Sequence, residues 1–434
     1  MKWSKFIFRS FHSDSVTLVN TTNEAIVNLP TSEYRSINEF IEANSDKVKN
    51  EYETDFQELV DMAFVLDETV DEVTQLRENI TRMLSTEDSM KIVLMTTSSC
   101  NFNCEYCYEK GIDRFSHMDG ETIEALQRYL NLYLNKNNQV TKINLSLFGG
   151  EPTLNWAAAE GAIILLNDYC KENNLIFSTD IVTNGYLLDK KKIDFLRDNN
   201  LTGIQITLDG TSDVHNKRRS LKNGKPTFNR IISNLHYILE SQALKSIFVR
   251  INYDNNNVEN VPVLLDYLSN EFDTEMISLS FGDITPTVLD SPANSFVEKY
   301  LLNDDEMVEH LFLFYSKAKS LGFKIKEFYC PDGYCIAKSN HSFVLYPNGD
   351  MYKCLSMVGR KKLSFGNIHQ ATEMISYYSS DLFLYCSSRN CEFLPVCFSG
   401  CRFNSYIKNN NPLSVDCKYD FISKINNELL KLFI

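Results

Sequence analysis

The stretch KIVLMTTSSCNFNCEYCYEKG (Lys91–Gly111) places three cysteines directly behind an apolar run. KIVLMTT reads as a strand. Cys100, Cys104 and Cys107 then follow with C-x3-C-x2-C spacing. Beyond them, strand-like and helix-like segments alternate. The helical segments are ETIEALQRYLNLYL, residues 155–173, KKIDFLRD, 227–242, 257–272 and 303–321. The strands between them are INLSLFGG, IFSTDIVTN, GIQITLDG, SIFVRINYD and MISLSFGD. With KIVLMTT this makes six βα units, and such alternation implies a parallel sheet with helices outside. An eight-stranded barrel needs eight units, so the expected fold is α/β with an open or partial (βα)6 barrel over residues 89–325. Folds of this kind put their chemistry at the C-terminal mouth of the strands, which is where the cysteines stand.

Three thiolates in eight residues can hold three corners of an iron–sulfur cluster, leaving a fourth iron open to a substrate or cofactor. Zinc competes for such ligands, but structural zinc sites usually take four, in C-x2-C pairs. Further motifs close the later strands: Gly149-Gly150-Glu151-Pro152, Thr183-Asn184-Gly185, Thr207-Leu208-Asp209-Gly210 and His215-Asn-Lys-Arg-Arg219.

The cysteine triplet, with Phe102 inside it and Tyr106 before its last member, resembles the radical S-adenosylmethionine (SAM) enzymes, and the match spans roughly residues 90–325. The resemblance implies a 4Fe–4S cluster on Cys100, Cys104 and Cys107 whose open iron is chelated by SAM. One electron then cleaves SAM to methionine and a 5′-deoxyadenosyl radical, which abstracts hydrogen from an unactivated carbon. It also implies a SAM site built from Tyr106, Gly149, Gly150, Glu151, Asn184, Thr207 and Arg219. Gly149 to Pro152 would bind the SAM amino group, the Asn184 motif would lie beside the ribose, and Thr207 replaces the family's Ser. Arg219 would pair with the SAM carboxylate through its bidentate fork, with Arg218 as its rival. Asn252, in RINYDNNN, reads either as a SAM contact or as part of a structural loop.

Residues 326–434 change character, with cysteines recurring among Gly, Pro, Asn and Tyr. Such a segment buries little apolar surface alone, which points to metal ligation as its staple. A last helix is expected from about 419 to 432. Cys335-x13-Gly349-x4-Cys354, then Cys391-x5-Cys397-x3-Cys401 and Cys417, resembles the SPASM extension of peptide- and protein-maturing radical SAM enzymes. Carried over, the resemblance implies two auxiliary 4Fe–4S clusters, three clusters in all. Cys330, Cys335, Cys354 and Cys401 would hold one, and Cys386, Cys391, Cys397 and Cys417 the other. A zinc-stabilised tail is the competing reading. Four residues separate Cys386 from Cys391 where the extension ordinarily has C-x2-C. Sulfatase maturases carry a catalytic Asp behind the cysteine matched by Cys354. Here that residue is Leu355, so formylglycine formation is not expected, and Asp350 and Asp332 have no assigned role.

Residues 1–88 read as three strands (KFIFRSF, SVTLVN, EAIVNL) followed by helices near 32–44, 51–66 and 69–85. This order resembles the winged-helix element that recognises leader peptides by adding an extended segment to a sheet edge; a plain scaffold domain is the alternative. The unit has 18 acidic and 8 basic residues and so carries ten of the chain's fourteen excess negative charges. That balance suits a solvated acidic face, or a basic leader.

The chain has 434 residues, 43% apolar and 23% charged, an ordinary globular composition. A charge of −14 argues against a phosphate-tracking nucleic-acid binder. No apolar run reaches the length of a membrane span, and the N-terminus lacks a signal-peptide pattern. A cytoplasmic location is therefore expected, where grouped cysteines favour metal over disulfides. Cys170 stands alone in an apolar helix and reads as a buried hydrophobe. The resemblances to radical SAM enzymes, to the SPASM extension and to the leader-recognising element together imply an oxidoreductase that acts on a ribosomally made precursor peptide through its leader. A flavodoxin- or ferredoxin-type protein would supply the electrons, and a thioether or carbon–carbon cross-link would be the product. The alternatives are a maturase of a protein-borne cofactor or enzyme and a non-catalytic iron–sulfur redox carrier.

Overall fold

The first strands owe their pairing to apolar residues on both faces of a short sheet. In the computed structural model, which describes residues 1–43, 53–112, 116–285, 291, 293–330 and 335–433, the chain opens with β1 (Lys2–Trp3), β2 (Ile7–Phe11), β3 (Ser15–Asn20) and β4 (Ala25–Pro30). Helices α1 (Thr31–Glu42) and α2 (Glu53–Asp61), strand β5 (Val65–Leu66) and helix α3 (Glu72–Ser85) follow. β2, β3 and β4 form an antiparallel sheet, and β1 pairs with β5. Ile7, Val16 and Leu18 pack one sheet face onto Ile37 and Ile41 of α1, with Leu59 and Phe64. The helix ends expected at residue 44 and at 51–52, and Asp332, lie outside the described residues.

The six βα units form as their apolar spacing dictates. Strands β6 (Ser89–Met95), β7 (Lys142–Phe148), β8 (Ile176–Thr183), β9 (Leu201–Thr207), β10 (Ile247–Tyr253) and β11 (Ile277–Asp283) are all parallel and stand in sequence order. Between and after them run α4 (Gly120–Leu134), α5 (Trp156–Glu172), α6 (Lys190–Asp198), α7 (Ser212–Arg218), α8 (Phe228–Glu240), α9 (Val261–Glu271), α10 (Asn294–Lys299) and α11 (Asp304–Ser320). The sheet continues past β6 with β12 (Phe343–Leu345), parallel to it, then antiparallel β13 (Asp350–Tyr352) and β14 (Gly366–Asn367). Among the described residues it is thus a nine-stranded open sheet, with three strands contributed from beyond the expected barrel.

One sheet face is apolar and buried, through Ile92, Leu145, Ile181, Ile206 and Val249. The opposite face carries Lys91, Ser146, Asp180, Gln205, Arg250 and Ser280, all but Ser146 partly open to solvent. All-parallel sheets are normally apolar on both faces, so this polar lining marks an interior meant to be wet or filled.

The tail adds α12 (Ser380–Ser387), α13 (Leu394–Cys397), α14 (Arg402–Asn409) and α15 (Tyr419–Leu430). By contacts the chain forms two units. One comprises residues 1–85, 326–335 and 378–434, the other 86–325 and 336–377. The cysteine-rich tail therefore contributes to both. Its apolar residues are not left without partners. Phe328, Phe393, Val396, Ile422 and Leu430 pack on Phe8 and Val19 of the N-terminal sheet, and Phe383 and Leu394 pack on Phe6, Ile80 and Leu84. The tail thus buries its apolar side chains together with residues 6–84 rather than alone, as its sequence implies.

Candidate active site

Behind β6 the chain makes an irregular loop that holds Cys100, Cys104 and Cys107, with Cys104 buried and the other two partly exposed. The loop is fixed from two sides. On one, Asn103 N–H donates to Ser220 O (2.9 Å) and Lys222 N–H to Asn101 O (3.0 Å), tying it to the segment behind α7. On the other, Gly150 N–H donates to Thr97 O (3.0 Å) and Glu151 N–H to Ser99 O (2.8 Å). The two glycines make this approach possible. A Cβ on Gly150 would lie 2.4 Å from Ser99 O, and one on Gly149 2.3 Å from Thr97 O.

Glu151 is fully buried. Its Oε1 accepts from Thr153 N–H (3.1 Å), Thr153 Oγ1 (2.5 Å) and Thr183 Oγ1 (2.7 Å), and its Oε2 accepts from Asn184 N–H (2.8 Å). Burial pushes its pKa up, against these hydrogen bonds. The carboxylate thus ties the end of β7 to the end of β8, with only Oε2 retaining spare acceptor capacity. Asn184 reaches back to the cysteine loop. Its Nδ2 donates to Asn101 Oδ1 (2.8 Å) and lies 3.9 Å from Cys100 Sγ, while Phe102 N–H points at the same sulfur (3.4 Å).

A second network crosses the strand ends. The Tyr106 hydroxyl donates to Asp209 Oδ2 and accepts from Arg219 Nη1. Asn252 Nδ2 approaches the same hydroxyl at 3.5 Å. Arg218 is held bidentately by Asp254 (3.0 and 2.9 Å) and stacks over the Tyr106 ring, its carbon 5.2 Å from the centroid. Arg219 is less committed. Beyond the Tyr106 contact its Nη1 lies 3.9 Å from Asp209 and no carboxylate holds its fork, while the buried Nε of both arginines lacks a hydrogen-bond partner. His215 takes the Asp209 N–H on Nδ1 (3.3 Å). Burial and both arginines hold its pKa well below the usual value, so it is neutral. Thr207 ends β9 in register with Arg250 and is buried.

The structure thus brings Tyr106, Gly149, Gly150, Glu151, Asn184 and Arg219 to the cysteine loop, directly or through one partner. Asp209, Asn101 and Asp254 belong to the same networks. Asp209 sits inside the TLDG motif, but nothing in its spacing announces a bond to Tyr106. Residues 94–268 match the family model of the Radical SAM superfamily. The chain carries a radical SAM domain. It is 25% identical over 298 residues to the radical SAM cyclopropyl synthase TigE of Paramaledivibacter caminithermalis, an alignment spanning 60% of this chain and 60% of that protein. Its structure is similar to native anSMEcpe with bound AdoMet (TM-score 0.62, 19% identity, 79% of this chain and 96% of that one). It is also similar to Streptococcus suis SuiB bound to S-adenosylmethionine (TM-score 0.52, 17% identity, 96% and 99%). These structural likenesses establish the radical SAM fold with its mostly parallel sheet.

The donor set suits an iron–sulfur cluster. Three soft thiols share one loop, an amide N–H and a carboxamide face Cys100 Sγ, and the Arg219 cation acts on Cys104. Among the described residues, no three His, Cys, Asp or Glu side chains converge tightly enough for a single metal ion. In the other unit Cys386, Cys391, Cys397 and Cys417 line one pocket with Phe393 and Leu394. Burial pushes the Cys391 thiol up to about 12. Phe398, Ser399 and Gly400, between Cys397 and Cys401, are all left-handed (φ 50°, 66° and 84°). Arg402 is buried, with its guanidinium spent on the carbonyls of Ser399, Gly400, Pro412 and Ser414. It lies within electrostatic reach of Cys401 and Cys335. Cys330 packs at the edge of the Phe328–Phe393 cluster. Cys354 follows β13 in the radical SAM unit and acts electrostatically on Tyr108, beside Cys107. Among the described residues, no helix is long and apolar enough to cross a membrane.

Proposed function

We propose that this protein is a radical SAM peptide maturase of the SPASM kind, installing an oxidative thioether or carbon–carbon cross-link in a ribosomally made precursor. The observation that carries the reading is the cysteine loop of the radical SAM domain, with the largely uncommitted Arg219 guanidinium one hydroxyl away from it. Cys100, Cys104 and Cys107 would hold the catalytic 4Fe–4S cluster, and Arg219 the SAM carboxylate. Arg218 is the weaker candidate because Asp254 already occupies its fork. Cluster and SAM, when bound, supply a carbon-centred radical able to take a hydrogen atom from the peptide. Asn184 and the Phe102 amide orient Cys100, and Tyr106 with Asp209 hold Arg219 in place.

Cys386, Cys391, Cys397 and Cys417 would hold one auxiliary cluster, which their shared pocket supports. Cys330, Cys335, Cys354 and Cys401 would hold the other. An oxidation has surplus electrons to place, and two further clusters suit that need. The N-terminal sheet, its β4 edge unpaired among the described residues, would take the leader. The similarity to a radical SAM cyclopropyl synthase is in keeping with radical SAM chemistry. A redox carrier has no use for Arg219 and the strand-end constellation.

The test is iron and sulfide analysis with a SAM-cleavage assay, performed anaerobically on wild type and the Cys100/Cys104/Cys107→Ala variant. About twelve irons falling to about eight is expected, with 5′-deoxyadenosine formed by wild type alone. Four irons or fewer in wild type, with zinc in the tail, would overturn the auxiliary-cluster part. Absence of 5′-deoxyadenosine would overturn the enzyme.

A further inference from the structure

Arg250 stands on the polar face of the parallel sheet, in register with Thr207 on β9 and Ser280 on β11. Its Nε donates to Asn252 Oδ1 (3.1 Å) and its Nη1 to Ser280 Oγ (3.1 Å). Its Nη2 extends over Gly282, so closely that a Cβ there would lie 1.5 Å away. Residue 282 must therefore be glycine for the guanidinium to lie where it does.

Both hydrogen-bond acceptors are neutral. Of the other cations on this part of the molecule, Lys91 pairs with Asp180 (3.3 Å) and Arg218 with Asp254, while Arg219, the residue assigned to the SAM carboxylate, lies 3.9 Å from Asp209. Among the described residues no carboxylate lies within ion-pair distance of Arg250. A half-buried cation held by neutral acceptors, beside one oriented but unfilled N–H edge, is a carboxylate receptor by its chemistry. Its place is set by Asn252, whose Nδ2 faces the Tyr106 hydroxyl. Arg250 is thus one side chain removed from the network that holds Arg219.

We propose that Arg250 anchors a carboxylate of the peptide substrate, so that the segment to be modified carries Asp, Glu or a free C-terminus close to the reacting residue. This rests on the peptide-maturase reading and names the chemistry of its substrate. The chain's excess of acidic groups makes the inference discriminating, because the protein at large repels acidic peptides. A preference for them must come from a local cation.

Carboxylate could also come from SAM, and the experiment separates the two. Cluster-loaded protein is incubated with SAM and a synthetic pool of random dodecapeptides, prepared in free-acid and C-terminally amidated forms. Bound peptides are read by mass spectrometry, and SAM affinity by equilibrium dialysis. Wild type is expected to enrich Asp, Glu or free-acid members at least fivefold, and R250Q to lose that enrichment with SAM affinity altered less than threefold. Survival of enrichment only in the free-acid pool identifies the C-terminus as the ligand; survival in both identifies a side chain. Gly282→Ala keeps the charge but displaces the guanidinium, so it should lose the enrichment too. It also covers the case in which R250Q does not fold. No acidic enrichment in wild type, or equal enrichment in both variants, overturns the proposal, as does a tenfold loss of SAM affinity in R250Q. A wild type that forms no 5′-deoxyadenosine overturns the enzyme reading instead, and the peptide enrichment is still read on its own.

Discussion

The two cysteine-bearing regions are built on different principles. The loop of Cys100, Cys104 and Cys107 is positioned by hydrogen bonds from three neighbouring strand ends, with glycine backbone pressed against it. The pocket of Cys386, Cys391, Cys397 and Cys417 is positioned by hydrophobic packing, with Phe393 and Leu394 as both its wall and part of the core. The first arrangement fixes direction, as a reacting centre requires. The second fixes distance from water, which would tune the potential of a cluster held there. A mutation that hurts one region should leave the other standing.

The largest expected effect breaks the first region alone. Gly150→Ala forces a Cβ into the Ser99 carbonyl, and backbone cannot yield cheaply. SAM cleavage should fall at least about 100-fold, or about 2.7 kcal/mol in barrier terms, with tail iron retained. Iron analysis beside the cleavage assay checks this, and equal iron loss from both regions would refute the separation. Phe393→Ala is the counterpart. It should cost about 3–5 kcal/mol of stability in the unit formed by residues 1–85, 326–335 and 378–434, read as an earlier urea transition. Cleavage of SAM should persist below that transition. Arg219→Lys comes next. It loses the fork while keeping the charge, so SAM affinity should drop about tenfold, or about 1.4 kcal/mol. A larger loss in Arg218→Lys would reverse the assignment of the pair.

The smallest effects concern pH, and they have opposite signs in the two units. His215 is buried and neutral, and the unfolded chain binds its proton more readily. Stability of the radical SAM unit should therefore fall as pH drops below about 6.5, with a slope of at most about 1.4 kcal/mol per pH unit. His215→Asn should flatten that slope. Glu33 is raised to about 7 by burial and by Asp55. The folded state therefore holds its proton more tightly, and that stabilisation fades as pH rises through 7. Glu33→Gln should leave the N-terminal unit's stability flat between pH 5 and 8, as followed by thermal melts. Parallel slopes in the two variants would show that the units do not titrate separately.

The βα alternation was legible because the longer strands and helices between residues 89 and 320 carry their own apolar period. Short elements were not. The seven residues of α7, SDVHNKR, show no apolar stripe, because this helix exists to deliver Arg218 and Arg219 rather than to cover a core. β12 to β14 are two or three residues long and acquire their identity from pairing with β6 and with each other. In the site, the cysteines and strand-end motifs could be read as residues, but their bonds could not. The sequence did not show that Glu151 braces two strand ends, or that Tyr106 bridges Asp209 and Arg219. Arg250 and Gly282 passed unnoticed because their relation is one of register between neighbouring strands, which a linear reading does not display.

The unit that holds the N-terminal sheet is closed by the last stretch of the chain. Phe8 and Val19 meet their partners only when Phe393 and Ile422 have been made. During synthesis the sheet must wait while residues 86–377 emerge, about 15 to 60 s at ordinary elongation rates. For that interval its apolar face is open to chaperones and to sister chains on the same polysome. Premature termination before residue 393 would leave that face without Phe393, Val396, Ile422 and Leu430. Truncated products should therefore aggregate rather than persist as free barrels.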